Sequence, residues 1–181
     1  GMSWYDAFNH AFTTMSTGGF STYNDSAAHF GPSIQYLMLV FMFIAGTNYT
    51  VLYFALNTRF KRVWASDEFR AYGRFTGLVI VAVTLILFFR HKLPFEQAFR
   101  DGAFQIVSLV TTTGYVSADY TLWGSGMTFF FFALLFSGAC AGSTSGGIKL
   151  VRHLVFVKNS VLEFKRILHP RAMIRIKING E

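Results

Sequence analysis

Three long apolar stretches constrain the fold of this chain more than any other feature. They run from Ile34 to Leu56, from Phe75 to Phe89 and from Met127 to Ala141. About 20 helical residues cross the hydrocarbon core of a bilayer, so the first stretch is long enough to span it and the second suffices if slightly extended. A cluster of Gly, Ser and Thr follows the third stretch, which predicts a broken helix. We therefore expect an all-α integral membrane fold.

Composition favours the bilayer over water as the solvent. Of the 181 residues, 52% are hydrophobic and 14% are charged, whereas soluble domains carry about 25% charge. Aromatic residues make up 18% of the chain and suit lipid-facing helices and interfacial belts. The single cysteine, Cys140, cannot form an internal disulfide and has no cysteine partner for a zinc site. A large soluble core is the alternative.

The positions of Lys and Arg predict the orientation of the chain. Of the sixteen, five lie between the first two apolar stretches, three follow the second and eight follow the third. Because positive residues accumulate in cytoplasmic loops, the first linker and the basic tail are predicted to be cytoplasmic. The glycine-containing segments then enter the membrane from its outer face.

An internal repeat relates the two halves of the chain, because a shift of 95 residues superimposes residues of the same type. The matching pairs are Asp6 and Asp101, Thr17 and Thr112, Gly19 and Gly114, and Gly31 and Gly126, followed one insertion later by Ala45-Gly46-Thr47 and Ala141-Gly142-Ser143. The order of short helix, Thr-Gly-aromatic loop, outer loop and apolar span recurs as a whole. It indicates two copies of one structural unit.

Each copy begins with a moderately apolar segment too short to cross a membrane. These segments are Asp6–Ser16 and Asp101–Thr111, and we expect both to be re-entrant helices. The carboxyl end of such a helix brings partial negative charge to mid-depth, where it favours a dehydrating cation. Non-helical backbone at that depth must be buried in protein or line water, so the loops that follow indicate an ion pathway.

These loops have the composition of a carbonyl-lined cation filter. Backbone oxygens held in a ring can replace the hydration shell of a monovalent cation, and glycine reaches the required positive φ at little cost. Phe20 and Tyr115 are expected to anchor the loops against neighbouring helices. Ordinary turns that cap short helices are the alternative. The candidate filter residues are Thr17, Gly18, Gly19, Phe20, Thr112, Thr113, Gly114 and Tyr115, with the ion expected at the carbonyls of Gly18, Gly19, Thr113 and Gly114.

The same segments resemble a known family. The run from Asp6 to Thr22 is similar to the second pore loop of the Trk/Ktr/HKT potassium transporters, specifically of the bacterial Trk membrane subunit. Val110–Tyr115 resembles the third pore loop, and Gly138–Lys149 resembles the broken inner helix that follows it. The resemblance implies four repeats of outer helix, pore loop and inner helix around one pore. This chain would supply the second repeat without its first helix, and the complete third.

The resemblance also bears on the ion and on gating. In this family a serine at a filter glycine is associated with sodium permeation, and both loops here carry glycine, which favours potassium as the transported ion. About fifteen residues, or roughly 22 Å of helix, separate Met127 from the glycine-serine cluster. We hypothesise that this cluster obstructs the cavity below the filter until it moves; a plain helix kink is the alternative. The candidate gating loop is Gly142, Ser143, Thr144, Ser145, Gly146 and Gly147.

Partners and location follow from the resemblance as well. It implies a multi-pass protein of the cell inner (plasma) membrane, in contact with lipid, with the missing repeats of its own subunit and with a second copy in a homodimer. It also implies cytosolic nucleotide-binding regulatory subunits, for which Arg166, Arg171 and Arg175 are candidate contacts. We expect no enzymatic activity, no covalently bound cofactor and no nucleic-acid partner, since the positive charge follows membrane topology.

The predicted division of the chain has four parts. Residues 1–57 form a pore helix, filter loop and inner helix, 58–74 a cytoplasmic linker, 75–164 a complete second repeat with a broken inner helix, and 165–181 a basic cytoplasmic tail.

The alternatives to a potassium pathway are a sodium or other cation transporter with re-entrant loops, or a structural membrane fragment without independent activity. An intramembrane hydrolase would need Ser143 beside a distant His. A phosphate-binding loop is disfavoured because Gly147-Ile148-Lys149-Leu150 lacks the required residue order.

Overall fold

The computed structural model describes residues 1–168, and these are largely α-helical without a β-strand. The side chain of Arg166, and Arg171 and Arg175 altogether, lie outside the described residues, as does most of the predicted tail. The helices are α1 (Trp4–Met15), α2 (Pro32–Ala45), α3 (Tyr49–Leu56), α4 (Phe60–Ala65), α5 (Asp67–His91), α6 (Phe95–Val110), α7 (Ser125–Leu134) and α8 (Leu150–Leu168).

Two short helices, α1 and α6, occupy the positions of the predicted re-entrant segments. The Ser3 side chain accepts a hydrogen bond from the Asp6 backbone N–H and caps α1. Helix α6 begins at Phe95, six residues earlier than predicted. Pro94 is its N-cap residue, and the residues between Phe95 and Asp101 continue the same helix. From Asp101 to Val110, every residue of α6 is buried.

The first apolar stretch, Ile34–Leu56, forms two helices and not one continuous helix. Helices α2 and α3 meet at 109°. The Thr47 hydroxyl donates to the Phe43 carbonyl at 3.0 Å, and the Asn48 side chain caps α3 by accepting from the Thr50 N–H at 2.8 Å. The polar residues that interrupt the stretch are therefore the residues that end one helix and begin the next.

Helix α5 is the only helix among the described residues that is long and apolar enough to span a membrane by itself. The bent pair α2 and α3 passes the same test when taken as one span. The 25 residues of α5 correspond to about 37 Å of helix. It exceeds the predicted Phe75–Phe89 because Ser66 caps it at one end and Lys92 ends it in the left-handed region at the other. Its buried face packs against α6.

The third apolar stretch leaves the helical conformation sooner than predicted. Helix α7 ends at Leu134, seven residues before Ala141, so the interval from Met127 to the glycine-serine cluster is not a continuous 22 Å helix. The chain instead closes on itself: the Gly138 N–H donates to the Ile148 carbonyl at 2.8 Å, and the Leu150 N–H donates to the Ala139 carbonyl at 3.1 Å. A side chain at Gly138 would overlap the Gly146 carbonyl, so this closure requires glycine.

The two broken inner helices are hydrogen-bonded to each other at their breaks. The Cys140 N–H donates to the Gly46 carbonyl at 3.1 Å, and the Tyr49 N–H donates to the Gly142 carbonyl at 3.2 Å. Both bonds join segments that the internal repeat aligns. The breaks thus satisfy backbone groups that the interrupted helices cannot satisfy alone.

Candidate functional site

The two glycine loops share one hydrogen-bond pattern, displaced by 95 residues along the chain. In the first loop the Gly18 N–H donates to the Thr13 carbonyl at 2.8 Å, and in the second the Thr113 N–H donates to the Ser108 carbonyl at 2.9 Å. The hydroxyls repeat as well: that of Thr13 donates to the Phe20 carbonyl at 3.0 Å and that of Ser108 to the Tyr115 carbonyl at 2.7 Å. The predicted repeat is therefore a repeat of structure.

Both loops alternate between the left-handed and the ordinary backbone regions. Thr17 and Thr112 have φ of 52° and 56°, and Gly19 and Gly114 have φ of 68° and 85°. The expectation that the glycines of the candidate filter are there for positive φ fails at Gly18, which is not among the residues in that region and whose counterpart is Thr113. Two β-branched residues instead carry the left-handed conformation, which they rarely adopt.

The loops lie side by side. A Cβ atom added to Gly19 would overlap the carbonyl oxygen of Thr113, whereas a Cβ atom at Gly114 would meet no atom within 4 Å. Gly19 is therefore required by contact and by φ, and Gly114 by φ alone. The two loops therefore reach the same region of the protein.

The backbone carbonyls of the loops fall into two groups. Those of Phe20 and Tyr115 are occupied by the Thr13 and Ser108 hydroxyls. The carbonyls of the four residues where an ion was expected accept no hydrogen bond from residues 1–168. These residues are Gly18, Gly19, Thr113 and Gly114.

The two aromatic residues of the loops differ in their surroundings. Tyr115 is 1% exposed and packs among buried side chains, as expected of an anchor. Phe20 is 77% exposed, so the expectation that it anchors its loop is not met by the part of the chain that the structure describes. The difference arises because α6 is buried at every residue from Asp101 to Val110, whereas α1 leaves Phe8 and Phe12 exposed.

The loop Gly142–Gly147 contacts both glycine loops at their first residues. The Thr144 hydroxyl donates to the carbonyl of Met15, and the Thr17 hydroxyl donates to the carbonyl of Thr144, both at 3.0 Å. The Gly146 N–H donates to the Thr112 hydroxyl at 2.6 Å. The contact is direct, although the sequence suggested only that the cluster lies somewhere below the filter.

Two charged residues that sequence analysis did not assign to the site hold this loop. The Lys149 ammonium donates to the carbonyl and the hydroxyl of Ser145. The Glu68 carboxylate accepts from the Ala141 N–H at 2.5 Å. Glu68 was detectable as an acidic residue at the start of an apolar helix in a linker otherwise rich in positive charge.

At the N-terminus of α1, Asp6 joins the first turn to the segment after the loop. Its carboxylate accepts from the hydroxyls of Ser3 and Thr22, each at 2.7 Å, and of Tyr23 at 3.1 Å. These hydrogen bonds, led by that of Ser3 and followed by that of Thr22, lower the pKa of Asp6 to about 2. The carboxylate thus holds the segment after the loop, at Thr22 and Tyr23, against the first turn of α1.

Within residues 1–168, no group of three or more His, Cys, Asp or Glu side chains lies where it could hold a metal ion. The oxygen atoms available to a cation in the loops are therefore those of the backbone and of the threonine hydroxyls. Two re-entrant helices whose loops meet beside a broken inner helix define an all-helical membrane protein of the pore-loop class.

The chain belongs to the TrkH family of cation transport proteins, whose family model matches residues 2–181. The Trk system potassium uptake protein TrkH of Escherichia coli K12 is 35% identical over 99% of this chain and 38% of its own length. TrkH of Halomonas elongata is 32% identical over 98% of this chain and 37% of its own length. The chain thus spans less than two fifths of these relatives.

A solved structure agrees with the fold. The potassium transporter TrkH from Vibrio parahaemolyticus superimposes with a TM-score of 0.90 at 34% identity, covering 100% of this chain and 40% of that protein. The all-helical membrane fold expected from the sequence is confirmed.

Proposed function

We propose that this chain forms part of the potassium pathway of a Trk-type uptake transporter, with Thr17–Phe20 and Thr112–Tyr115 as two segments of its selectivity filter. The observation that carries the proposal is the set of four adjacent loop carbonyls that accept no hydrogen bond within residues 1–168. A dehydrating cation is the partner that such oxygens suit, because it replaces the water they would otherwise need.

The backbone of the loops supports this assignment. A peptide chain that alternates between left-handed and ordinary φ turns successive carbonyls toward one side. Thr17 and Gly19 have positive φ with Gly18 between them, and Thr112 and Gly114 have positive φ with Thr113 between them. Helices α1 and α6 end immediately before these residues, so the negative ends of two helix dipoles face the same region.

Potassium is the substrate that the relatives support. The named relatives are potassium uptake proteins, and both filter glycines, Gly19 and Gly114, are present. The ion is transported cargo, and the proposal invokes no bound cofactor. The further assembly also belongs to the proposal: an inner-membrane homodimer, in contact with lipid, that docks cytosolic nucleotide-binding regulatory subunits.

Gating is assigned to Gly142–Gly147. Its hydrogen bonds to Thr17, Thr112 and the end of α1 hold it against the two glycine loops, which supports this assignment. Each of these is a neutral hydrogen bond with a net worth of about 1 kcal/mol, so the contact can be broken by a modest conformational change. We infer that ions pass when this loop moves away.

The test uses the complete transporter, in which this chain is joined to the remaining length seen in its relatives. We expect it to restore growth of a potassium-uptake-deficient bacterium at low potassium. Gly114→Ser should lower the potassium-to-sodium permeability ratio in proteoliposomes. Gly77→Ser is the control, because Gly77 lies on α5 with open space around it and no positive φ. An unchanged ratio for Gly114→Ser in folded protein would overturn the filter assignment.

A further inference from the structure

We propose that Glu68 is a positioning residue that holds the Gly142–Gly147 loop in its obstructing position. The inference rests on the gating role proposed above. It concerns a residue of α5, which contributes nothing to either filter loop. The structural basis is one hydrogen bond between the Glu68 carboxylate and the backbone N–H of Ala141.

Glu68 is placed to act on the base of the loop. Its residue exposure is 8%, and Oε1 lies 2.5 Å from the Ala141 nitrogen. Ala141 immediately precedes Gly142, where φ is 74° and the chain turns toward the filter loops. A change at the Ala141 N–H therefore alters the point from which the loop departs.

The neighbouring backbone groups are already committed to another element. The Cys140 N–H and the Gly142 carbonyl bond to the break between α2 and α3, through Gly46 and Tyr49. The Ala141 N–H between them is bonded to α5 instead, through Glu68. Residues 140–142 are thus fixed from two sides, and Glu68 supplies one of them.

The charge on Glu68 makes this bond unusual. A carboxylate buried in a membrane protein carries a desolvation cost that a neutral acceptor would avoid. Part of that cost is offset because Glu68 lies in the first turn of α5, where the helix dipole favours negative charge. A charged acceptor binds an N–H more tightly than a neutral one. It can also regain water at the end of α5 when the loop leaves, which suits a contact that must both hold and release.

Asp67 offers a matched comparison one residue away. It lies in the same first turn, but its carboxylate contacts Arg70 and Lys158. Removing its charge changes the end of α5 electrostatically without removing the bond to Ala141. A difference between variants at the two positions therefore reports the contact with the loop.

The experiment measures basal potassium flux and the potassium-to-sodium permeability ratio of the complete transporter in proteoliposomes. Glu68→Ala should raise basal flux roughly tenfold, the scale of a lost charge-assisted hydrogen bond, with the permeability ratio unchanged. Glu68→Gln keeps a neutral acceptor and should raise flux less. Asp67→Asn should leave flux at the parental value.

Four outcomes would count against the proposals. Unchanged flux in Glu68→Ala, or a fall in the permeability ratio without a rise in flux, overturns the positioning role. If Glu68→Ala does not yield monodisperse protein, the nearly isosteric Glu68→Gln is decisive, and unchanged flux in that variant also overturns it. If the parental transporter itself carries no potassium, the proposed function fails, and this outcome is distinct from failure of Glu68 alone.

Discussion

The hydroxyl of Thr13 lies 2.5 Å from the phenolic oxygen of Tyr115, so a side chain from the second loop reaches the back of the helix that supports the first. The same phenol lies 3.4 Å from the Phe20 carbonyl. The first copy offers no equivalent, because the residue that matches Tyr115 is Phe20, which lacks a hydroxyl and is exposed. The Tyr115 phenol therefore links the two loops from the second loop only, and we call this link the strut.

Removing this hydroxyl tests the strut. We expect Tyr115→Phe to lower the potassium-to-sodium permeability ratio about fivefold, because a lost buried hydrogen bond costs about 1 kcal/mol and loosens the spacing of the loops. The measurement is the reversal potential under mixed potassium and sodium gradients. Tyr120→Phe, in the 3-10 turn Tyr120–Trp123, is the matched control and should keep the parental ratio. Equal ratios for both variants would contradict the role of the strut.

The adjacent glycines of the first loop should differ sharply in tolerance. Gly19→Ala places a methyl group on the Thr113 carbonyl and also demands positive φ, which by itself costs about 1 to 3 kcal/mol. We expect it to abolish potassium uptake. Gly18→Ala meets only the flexible Ser16 hydroxyl at 3.2 Å and the Phe20 ring, so uptake should be retained. Complementation at low potassium measures both, with membrane abundance checked by immunoblot; a functional Gly19→Ala would refute the contact between the loops.

The proposed gating loop, Gly142–Gly147, should obstruct ions less well when the hydroxyl of Thr144 is removed. Thr144→Val deletes the donor to the Met15 carbonyl, and we expect basal flux to rise about fivefold, the equivalent of about 1 kcal/mol. Rubidium uptake into proteoliposomes provides the measurement. Thr128→Val is the control, because the Thr128 hydroxyl donates to Gly124 at the start of α7, away from the loop. Deletion of Ser143–Ser145 should raise flux further, and an unchanged leak in both variants would argue against gating by this loop.

Acid should weaken the N-terminal end of α1 through Asp6. Its folded pKa is about 2, below the ordinary value of 3.8, so the stabilisation is complete above the ordinary value and is lost as pH falls from about 4 toward 2. We expect the unfolding temperature of the parental transporter to exceed that of Asp6→Asn by a margin that is constant from pH 7 to pH 5. The margin should narrow below pH 4. A margin independent of pH down to about 2 would show that the carboxylate is not the group responsible.

Much of the site was predictable because residues of the same type recur in both copies of the internal repeat. Thr17 and Thr112 match at a shift of 95 residues, and so do Gly19 and Gly114; the backbone conformations match in turn. The re-entrant helices followed from segments too short to span a membrane, and the apolar content fixed the solvent. These features depend on local sequence and on the bilayer, both of which a single chain reveals.

Long-range contacts were not predictable in the same way. The end of α7 at Leu134 depends on closure between Gly138 and Ile148, and an apolar run gives no sign of it. The bend after α2 depends on a partner break around Cys140. Glu68 contacts a backbone N–H 73 residues away, and a backbone donor carries no residue-specific signal. Phe20 could be assigned an anchoring role by analogy with Tyr115, but burial is set by the surrounding helices.

The left-handed threonines mean that the two glycine loops keep their conformation only within this fold. Thr17 and Thr112 hold a conformation that a free peptide of the same sequence would abandon, since each gains its geometry from Thr144 or Gly146 across the fold. A synthetic ionophore copied from either loop would therefore relax and lose its arrangement of oxygens. A design that transplants the loops to another scaffold must therefore include the segment Gly142–Gly147 as well.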